Sequence, residues 1–238
     1  MLSKPANRGF SIIIPVYREQ EAIGSCLEHL AKLKEIAGTE VIVVDGDNGS
    51  TLDQIPSKSY PFELIPLNSP KGRGVQLNRG ARVASGEFLL FLHVDTSLPR
   101  RALLLIRSAL QSYLAGCFEM FVRTDNFWIK LISLFAAWRA HLTRIPYGDQ
   151  GLFLKRTTYF ELGGFDNIPI MEDVAFMKKI KSKGIPITIL DSHIRTSDRR
   201  WKKEGITRAT LRNWYISLLF LCGVPPKDLE RHYLPHRT

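Results

Sequence analysis

The chain has 238 residues, of which 45% are hydrophobic, and its formal net charge is +10. This size suits one large α/β domain, with or without an extension. Cys26, Cys117 and Cys222 are odd in number and form no CxxC pair, which argues against a disulfide framework or a thiolate zinc site and suits a reducing cytosol. No signal core is evident, and the longest apolar run, 214–224, is about half of the ~20 residues that span a bilayer. We therefore expect a cytoplasmic protein.

Two segments carry nearly all of the excess positive charge. Residues 71–82 contain four basic side chains and no acidic one, and residues 195–212 contain seven basic side chains against two acidic ones. Clusters of this kind attract phosphate on a nucleotide, a nucleic acid or a lipid head group. Five of the seven later cations are arginine, which favours bidentate phosphate contacts. A solvated surface is the alternative explanation.

The first elements predicted along the chain are a strand, a helix and a second strand. Residues 11–14 form a β-branched strand that Pro15 should stop. Apolar residues at helical spacing predict a helix from Glu19 to Ala37, ended by Gly38. Residues 41–44 read as another buried strand, which ends on Asp45.

The next elements continue the alternation. Residues 62–67 resemble a poorer edge strand because Pro61 and Pro66 bracket it. A short helix is predicted at about 74–84, a strand over 88–94, and another helix after Ser97. This order predicts an α/β fold with a doubly wound, mostly parallel sheet flanked by helices.

The carboxyl-terminal part is less regular. Residues 119–123 and 152–155 look like strands, and residues 127–142 and 204–222 look like amphipathic helices. We expect a single domain over residues 1–238, with residues 200–238 as a basic and apolar helical extension.

Residues 88–95 form an apolar run that ends abruptly on a carboxylate, Asp95. A carboxylate at the carboxyl end of a buried parallel strand lies at the rim where α/β sheets bind ligands. Asp95 could there hold a divalent cation against a diphosphate. Alternatively, Asp95 only begins a turn before Ser97-Leu98-Pro99.

Three further motifs are expected near the same rim. Pro15–Glu19 leaves the first strand, Asp45–Thr51 leaves the second, and Lys71–Gly74 combines cations with glycines that let the backbone approach a ligand. Each motif is weak by itself. Their order and spacing, together with Asp95, resemble the GT-A fold glycosyltransferases of family 2.

The second half of the chain extends this resemblance. Residues 147–151 read Tyr-Gly-Asp-Gln-Gly, and a Gly-Gly-Phe-Asp turn at 163–166 is followed by Glu172-Asp173. In family 2 such a turn and acidic pair mark the acceptor side. The resemblance covers residues 10–190. A narrower resemblance is to a bacterial subgroup associated with radical-SAM and arsenosugar biosynthesis clusters.

The resemblance implies a role for each motif. Asp95 would hold the metal and diphosphate, and Asp173 would deprotonate the acceptor hydroxyl with Glu172 beside it. The nucleotide pocket would be lined by Pro15, Tyr17, Glu19, Asp45, Lys71 and Arg73. Sugar or acceptor contacts would come from Gly148, Asp149 and Gln150, and a loop closing over the diphosphate from Arg199 and Arg200.

The implied reaction is inverting transfer of a sugar from a UDP- or GDP-linked donor to an acceptor of unknown identity. The implied cofactor is a divalent metal ion, Mn²⁺ or Mg²⁺. Metal and arginines would stabilise the leaving diphosphate, and a general base would remove the acceptor proton.

Several positions depart from the family pattern. Gly46 stands where many members have a second acid, which puts uracil recognition by that residue in doubt. The metal motif contains His93, which is either a weak metal ligand or a residue hydrogen-bonded within the sheet. The late metal-binding histidine of some relatives has no clear counterpart here, and His193 is a candidate substitute. Glu172 either orients a neighbouring group or is solvated at a helix start.

Two other function classes compete with the transferase. A nucleotidyltransferase would use a similar sheet, basic loop and metal carboxylate, and a non-catalytic binder of nucleic acid or lipid would explain the charge alone. Neither needs an acidic pair such as Glu172-Asp173 after the glycine turn, so no nucleic-acid partner is expected.

The carboxyl-terminal region also has two readings. Basic residues 199–212 and apolar residues 211–224 could rest peripherally on an anionic membrane, on the inner face. Alternatively, the apolar stripe packs on the domain or a second subunit while the arginines bind diphosphate.

Overall fold

The computed structural model describes residues 9–124, 126–132, 134, 148–197 and 204–232. Its strands are β1 (Phe10–Val16), β2 (Glu40–Asp45), β3 (Glu63–Asn68), β4 (Phe88–Phe91), β5 (Thr96–Ser97), β6 (Ala115–Arg123), β7 (Phe153–Lys155) and β8 (Ile187–Ser197). Its helices are α1 (Gln20–Leu30), α2 (Arg73–Val83), α3 (Ala102–Ser112), α4 (Arg156–Glu161), α5 (Glu172–Ser182), α6 (Ile206–Leu221) and α7 (Pro226–Glu230). Residues 127–132 are also helical, and short 3₁₀ turns cover Leu52–Gln54 and Gly148–Gln150.

The strands form one sheet in the order β3-β2-β1-β4-β7-β6-β8-β5. The neighbours among β3, β2, β1 and β4 are parallel, as are β6 and β8. Strand β7 is antiparallel to both β4 and β6, and β5 is antiparallel to β8. The prediction of a mostly parallel α/β sheet is confirmed, and β3 lies at the edge as its two prolines suggested.

Helices cover both faces of the sheet. Ile12 and Ile14 of β1 pack with α1 and α3 in one apolar cluster, while Ile13 packs with α2, α4 and α5 in the other. Successive side chains of a strand point to opposite faces, so a strand that is covered on both sides reads as a continuous apolar run.

Strand β1 continues through Pro15 to Val16, two residues beyond its predicted end. Pairing with β4 ends at Ile13, whereas pairing with β2 continues to Val16. The carbonyl of Ile13 faces β4, so by alternation the nitrogen of Pro15 faces the same side, where β4 has already ended. Its missing N–H therefore costs no ladder hydrogen bond.

Helix α1 ends at Leu30 and not at Ala37, so this part of the prediction was wrong. The residues that follow form turns that bury Leu33 and Ile36 in the core. The amide of Lys34 donates to the carbonyl of Arg100 at 2.9 Å. Tertiary contacts thus use the apolar positions that had suggested a longer helix.

Strand β4 ends at Phe91, three residues before its predicted end. Residues 93–96 instead form a turn closed by a 3.1 Å hydrogen bond from the Thr96 amide to the His93 carbonyl. Asp95 therefore lies within a turn at the rim, and the two-residue strand β5 follows it before the predicted helix, which is α3.

The second half holds elements that the pattern did not predict, namely α4, α5, β8 and α7. Strand β6 begins at Ala115, four residues before the predicted strand, and β7 and α6 match predicted elements to within two residues. The described part of the predicted helix 127–142 is helical over 127–132, and residues 135–142 lie outside the description. No helix within the described ranges is long and apolar enough to cross a membrane.

Candidate active site

The loops that leave β1 and β2 are tied together at the rim of the sheet. Arg18 contacts Asp47 through Nε and Oδ2 at 3.3 Å, and the amide of Glu19 donates to Oγ1 of Thr51 at 3.1 Å. The Ser50 hydroxyl donates to the same Asp47 oxygen at 3.0 Å. These bonds join the loops after β1 and β2 into one surface, so the two motifs that were expected at the same rim are in contact.

Asp45 is fully buried and organises the second loop. Its Oδ1 accepts from the Asp47 amide at 2.7 Å, and its Oδ2 accepts from the Thr51 amide at 2.8 Å and the Leu52 amide at 3.4 Å. A carboxylate that accepts several backbone N–H groups fixes loop shape strongly. The Asp45 side chain thus fixes the conformation of the loop that is expected to line the nucleotide pocket, without itself reaching the surface of that pocket.

The buried side chain of Gln76 packs against the backbone at position 46, which explains why a glycine stands there. The Nε2 of Gln76 donates to the carbonyls of Val16 and Val44 at 2.7 and 2.8 Å, so it joins the ends of β1 and β2. A Cβ atom on Gly46 would lie 3.0 Å from the Gln76 amide carbon, tighter than ordinary contacts. An acidic side chain at position 46 would require the Gln76 side chain, and with it the hydrogen bonds that join β1 and β2, to shift.

Tyr17 presents a half-buried ring beside two cations. The Lys71 ammonium lies 4.6 Å from the ring centroid and the Arg18 guanidinium lies 5.4 Å from it. Pro15 is partly buried beneath this loop, and Glu19 is the cap residue of α1. A flat ring flanked by cations can take a nucleobase or a phosphate.

Arg73, at the start of α2, joins the two halves of the site. Its Nε contacts Oε1 of Glu172, and its Nη2 lies 3.1 Å from Oδ2 of Asp173. Its Nη1 lies 3.2 Å from Nε2 of His93. The predicted basic loop, metal motif and acidic pair therefore meet at one guanidinium.

Asn78 holds the acidic pair near Arg73 by clamping the glycine turn to α2. Its Nδ2 donates to the carbonyl of Phe165 at 2.9 Å, and its Oδ1 accepts from the Phe165 amide at 3.0 Å and the Tyr159 hydroxyl at 2.5 Å. Gly74 makes the close approach feasible, because a Cβ there would lie 2.6 Å from the Asp166 carbonyl oxygen.

Glu172 and Asp173 occupy the first turn of α5, and their environments differ. The side chain of Glu172 is 2% exposed and that of Asp173 is 14% exposed. Burial raises the pKa of Glu172, although the Arg73 guanidinium opposes the shift. The suggestion that Glu172 is merely solvated at a helix start is wrong, since it is a buried partner of Arg73. Asp173 is the member of the pair that solvent can reach.

The contact with Arg73 shows which ring nitrogen of His93 accepts a hydrogen bond. A guanidinium can only donate, so Nε2 of His93 accepts and the proton of the neutral ring resides on Nδ1. His93 lies beyond the end of β4, and its side chain is hydrogen-bonded to Arg73 of α2. The same bond occupies Nε2, one of the two ring nitrogens that could bind a metal.

Asp149 brings a third carboxylate to the site. Its Oδ1 is buried and makes no hydrogen bond within the described part of the chain. Its pKa is raised to about 6: burial is the main cause, the charges of Asp173 and Asp95 act in the same direction, and Arg73 opposes the rise. Gln150 next to it is buried and donates to the Phe118 carbonyl at 3.4 Å, so it anchors the turn.

The fit of a divalent cation depends on Asp95. Within the described ranges no three His, Cys, Asp or Glu side chains are grouped so that they could hold a metal by themselves. Mg²⁺ and similar ions commonly bind one or two carboxylates together with substrate phosphates. The half-buried Asp95 carboxylate at the rim fits that shared mode and does not fit a metal held by protein alone.

A narrow pocket runs between the acidic pair and the carboxyl end of β4. Its polar wall consists of Arg73, His93, Glu172 and Asp173, and its apolar wall of Leu77, Phe91, Leu92, Leu152 and Phe165. The basic loop, the histidine of the metal motif and the acidic pair that the sequence analysis singled out thus line one pocket.

Three other predicted residues are not part of the contacts described above. His193 on β8 is half exposed and lies 3.3 Å from Glu119 on the neighbouring strand, through Nε2 and Oε2. Arg199 and Arg200 lie outside the described residues, so their predicted contact with a diphosphate remains a prediction.

Sequence reasoning missed the contact between Arg73 and the acidic pair and the contact between Arg18 and Asp47. Both join residues far apart in sequence, 99 positions in the first case and 29 in the second. The positive φ of 56° at Arg18, rare for a non-glycine residue, marks a constrained loop but is invisible in the sequence.

Comparison with known proteins agrees with this geometry. The family model described as "Glycosyl transferase family 2" matches residues 11–165, more than half of the chain. The "Uncharacterized glycosyltransferase YibD" of Escherichia coli (strain K12) is 24% identical over 94% of this chain and 67% of its own length. A dolichol-phosphate mannosyltransferase of Mycosarcoma maydis is 28% identical over 50% of this chain and 45% of its own length.

Solved structures show the same fold at low sequence identity. The mannosyltransferase PcManGT from Pyrobaculum calidifontis, in complex with GDP-Man and Mn²⁺, superposes with a TM-score of 0.68, at 20% identity and over 94% of this chain and 67% of that one. S. aureus TarS 1–349 in complex with UDP gives a TM-score of 0.61 at 17% identity, over 89% of this chain and 65% of that one. The chain thus spans about two thirds of the length of each of these two structures.

Proposed function

The chain belongs to glycosyl transferase family 2, and on that premise we propose that it transfers a sugar from a nucleoside-diphosphate sugar to an acceptor hydroxyl with inversion at the anomeric carbon. The observation that carries the proposal is the meeting of Asp173, Arg73 and His93 beside the turn that holds Asp95. Family membership also disfavours the nucleotidyltransferase alternative.

The donor would occupy the wall formed by the loops after β1 and β2. Tyr17 and Lys71 offer a ring and a cation for the nucleotide, and the buried Asp45 keeps its loop in shape. Structural neighbours support a nucleotide sugar, because one of them was solved in complex with UDP and another in complex with GDP-Man and Mn²⁺. Asp95 would hold a divalent cation through the donor diphosphate, and the bound cation would supply charge neutralisation on the leaving group.

Asp173 would act as the general base. Its carboxylate removes the proton of the acceptor hydroxyl while that oxygen forms a bond to the anomeric carbon, and the bond from this carbon to the diphosphate oxygen breaks. The nucleoside diphosphate leaves with the electron pair. Arg73 positions the Asp173 carboxylate through Nη2, and the buried Glu172 fixes Arg73 in turn.

The proposal has three finer parts. Asp149 and Gln150 would line the sugar or acceptor side with Gly148, a role that the buried, unbonded Oδ1 of Asp149 within the described ranges supports. Peripheral contact with an anionic membrane is also included, because residues 195–212 carry a net charge of +5.

The motifs His-Val-Asp and Tyr-Gly-Asp-Gln-Gly support the narrower radical-SAM and arsenosugar subgroup.

Metal-dependent binding of a nucleoside diphosphate tests the proposal. UDP, GDP, CTP and ATP are titrated by calorimetry and thermal shift, with and without Mn²⁺, against the wild type and Asp95→Ala. We expect one diphosphate to bind in a metal-dependent manner, and Asp95→Ala to lose the metal-dependent part while its circular dichroism stays unchanged. Asp191→Ala, on an exposed position of β8, serves as the control.

Unchanged metal dependence in Asp95→Ala would remove Asp95 from this role. Preference for a triphosphate with release of pyrophosphate would instead support a nucleotidyltransferase. A donor library assayed for nucleotide-sugar hydrolysis then identifies the sugar.

A further inference from the structure

Five large apolar side chains of helix α6 are exposed on its surface. Leu211, Trp214, Tyr215, Leu218 and Leu221 are 50–60% exposed. Their spacing of three, one, three and three residues places them on one face, within an arc of about 120° at 3.6 residues per turn. This face, the α6 apolar face, extends along most of the helix.

The opposite side of α6 attaches it to the domain through few side chains. Ala209 and Ile216 are buried, and Phe220 contacts the Lys178 ammonium of α5 at 4.6 Å from its ring centroid. Arg212 forms an ion pair with Glu204 at 2.5 Å and is almost buried. Amphipathic helices of globular proteins normally bury their apolar stripe, so a second apolar face that remains exposed is unusual.

A second group of exposed apolar side chains lies in residues 127–134. Phe127, Trp128 and Leu134 are 63–69% exposed, and Leu131 is 48% exposed. The buried Ile129 of this segment and Ile206 at the start of α6 pack against the same apolar cluster of the sheet. Both exposed groups therefore belong to segments anchored on the same face of the sheet.

We propose that the α6 apolar face docks on the surface of an anionic lipid membrane, with the helix lying in the interface. Leucines would insert between lipids, and tryptophan and tyrosine suit the boundary where one end of the side chain is apolar and the other is wet. This assigns a face of the molecule to the peripheral contact included in the proposed function.

The positive charge next to the α6 apolar face favours an anionic membrane over a second copy of the chain as the partner. Arg208 is exposed at the edge of the α6 apolar face, and the six residues before Glu204 contain four basic side chains and one acidic one, Asp198, in the sequence. A symmetric dimer with parallel α6 helices would bring the basic segments of the two copies together, and an antiparallel one would place each against the other end of α6, where the charges of α7 balance; an anionic bilayer instead attracts the segment. On α7 the charges of Lys227, Asp228, Glu230 and Arg231 balance, so they oppose neither contact.

Vesicle co-sedimentation of the full chain tests the docking face. Vesicles of phosphatidylcholine alone are compared with vesicles that also contain phosphatidylglycerol, at low and at physiological salt. We expect pelleting with the anionic vesicles, weakened by salt, and a loss of about tenfold or more in the partition coefficient for the triple variant Trp214→Gln, Tyr215→Gln, Leu218→Gln. Phe160→Gln, at a large apolar side chain on α4 that is 43% exposed, should pellet like the wild type.

Each contrary outcome is informative. Absence of pelleting at low salt, or equal pelleting of the wild type and the triple variant, overturns the proposal. A wild-type dimer in light scattering that the triple variant converts to monomer, without vesicle binding, would assign the face to a second copy. Nucleoside diphosphate affinity, measured on the same variants, separates failure of this inference from failure of the proposed function, because the three substitutions lie outside the site.

Discussion

Arg73 shows how one residue can connect parts of a site that are distant in sequence. Its guanidinium contacts His93, which follows β4, and Glu172 and Asp173, which begin α5. The planar fork of arginine offers several donors in fixed directions, which a lysine could not do. The two acidic residues differ in exposure, and the proposed function accordingly gives the supporting role to the buried Glu172 and the reactive role to Asp173.

Asp173→Asn tests the reactive role. The substitution keeps the shape of the side chain and removes its basicity, so turnover should fall by roughly 10²-fold or more while nucleoside diphosphate affinity changes only a few-fold. Steady-state kinetics and calorimetry measure the two quantities, with Asp191→Asn on the exposed face of β8 as the control. Near-normal turnover would exclude Asp173 as the base.

Asp149 should make stability depend on pH. Its pKa is raised to about 6 in the fold against the ordinary 3.8, so the folded state binds the proton more tightly than the unfolded chain does. Protonation therefore stabilises the fold fully below about pH 4, and this contribution is lost as the pH rises through 6. Between these limits the wild type should lose about 3 kcal/mol of unfolding free energy relative to Asp149→Asn, since each pKa unit corresponds to about 1.4 kcal/mol.

Urea unfolding at several pH values measures this difference. Parallel curves of stability against pH for the wild type and Asp149→Asn would show that Asp149 titrates normally, and the inferred buried environment would then be incorrect.

At the scale of elements, the site depends on how α2 meets the glycine turn that precedes α5. Asn78 makes three hydrogen bonds to that turn and to Tyr159, and Gly74 allows a backbone approach that a Cβ would block. Met171, in the left-handed region with a φ of 66°, directs the chain into α5. Helix packing thus sets the distance between Arg73 and Asp173.

Asn78→Ala should therefore lower both stability and turnover. The lost bonds leave the Tyr159 hydroxyl and the Phe165 backbone groups without this partner, at a cost of about 2–4 kcal/mol. Turnover at a temperature where the variant is still folded should also fall, because the acidic pair is no longer held against Arg73. Denaturant unfolding and kinetics check the two effects.

Arg79→Ala is the matched control for this variant, since Arg79 is the next residue on the same helix and is exposed. It should change stability by no more than about 0.5 kcal/mol. Equal effects of the two substitutions would mean that the Asn78 clamp is not the feature that holds the turn.

At the scale of the whole molecule, one sheet joins the amino-terminal and carboxyl-terminal halves. Strand β7 inserts between β4 and β6, and β5, which follows the Asp95 turn, pairs with the end of β8. The rim that would bind the donor and the acidic pair on the acceptor side are therefore parts of one hydrogen-bonded framework.

This continuity predicts a single cooperative unfolding transition, in line with the proposal of one domain over the chain. Calorimetric and van't Hoff enthalpies should agree, and a bound nucleoside diphosphate with Mn²⁺ should shift the whole transition upward. Two resolved transitions would instead indicate that the carboxyl-terminal region unfolds as a separate unit.

The amino-terminal half of the fold could be read from the sequence because its signals are local. Parallel strands covered on both faces must be continuous apolar runs, so β1, β2 and β4 were evident, as were the rim positions of Asp45 and Asp95. The same reasoning misjudged α1, because residues 33 and 36 keep helical spacing while they pack from turns. Strand β8 was not recognised, since its burial alternates irregularly around a bulge in its pairing with β6.

The sequence by itself determined the fold class and the residue types of the site, because periodicity and strand-end carboxylates are properties of neighbouring residues. Only the tertiary structure decided which of these residues meet and which are buried. The Arg73 contacts, the burial of Glu172 and the outward face of α6 all depend on packing between segments far apart in the chain. A linear pattern shows that a helix is amphipathic, but the direction in which it faces is set by the partners that the rest of the fold provides.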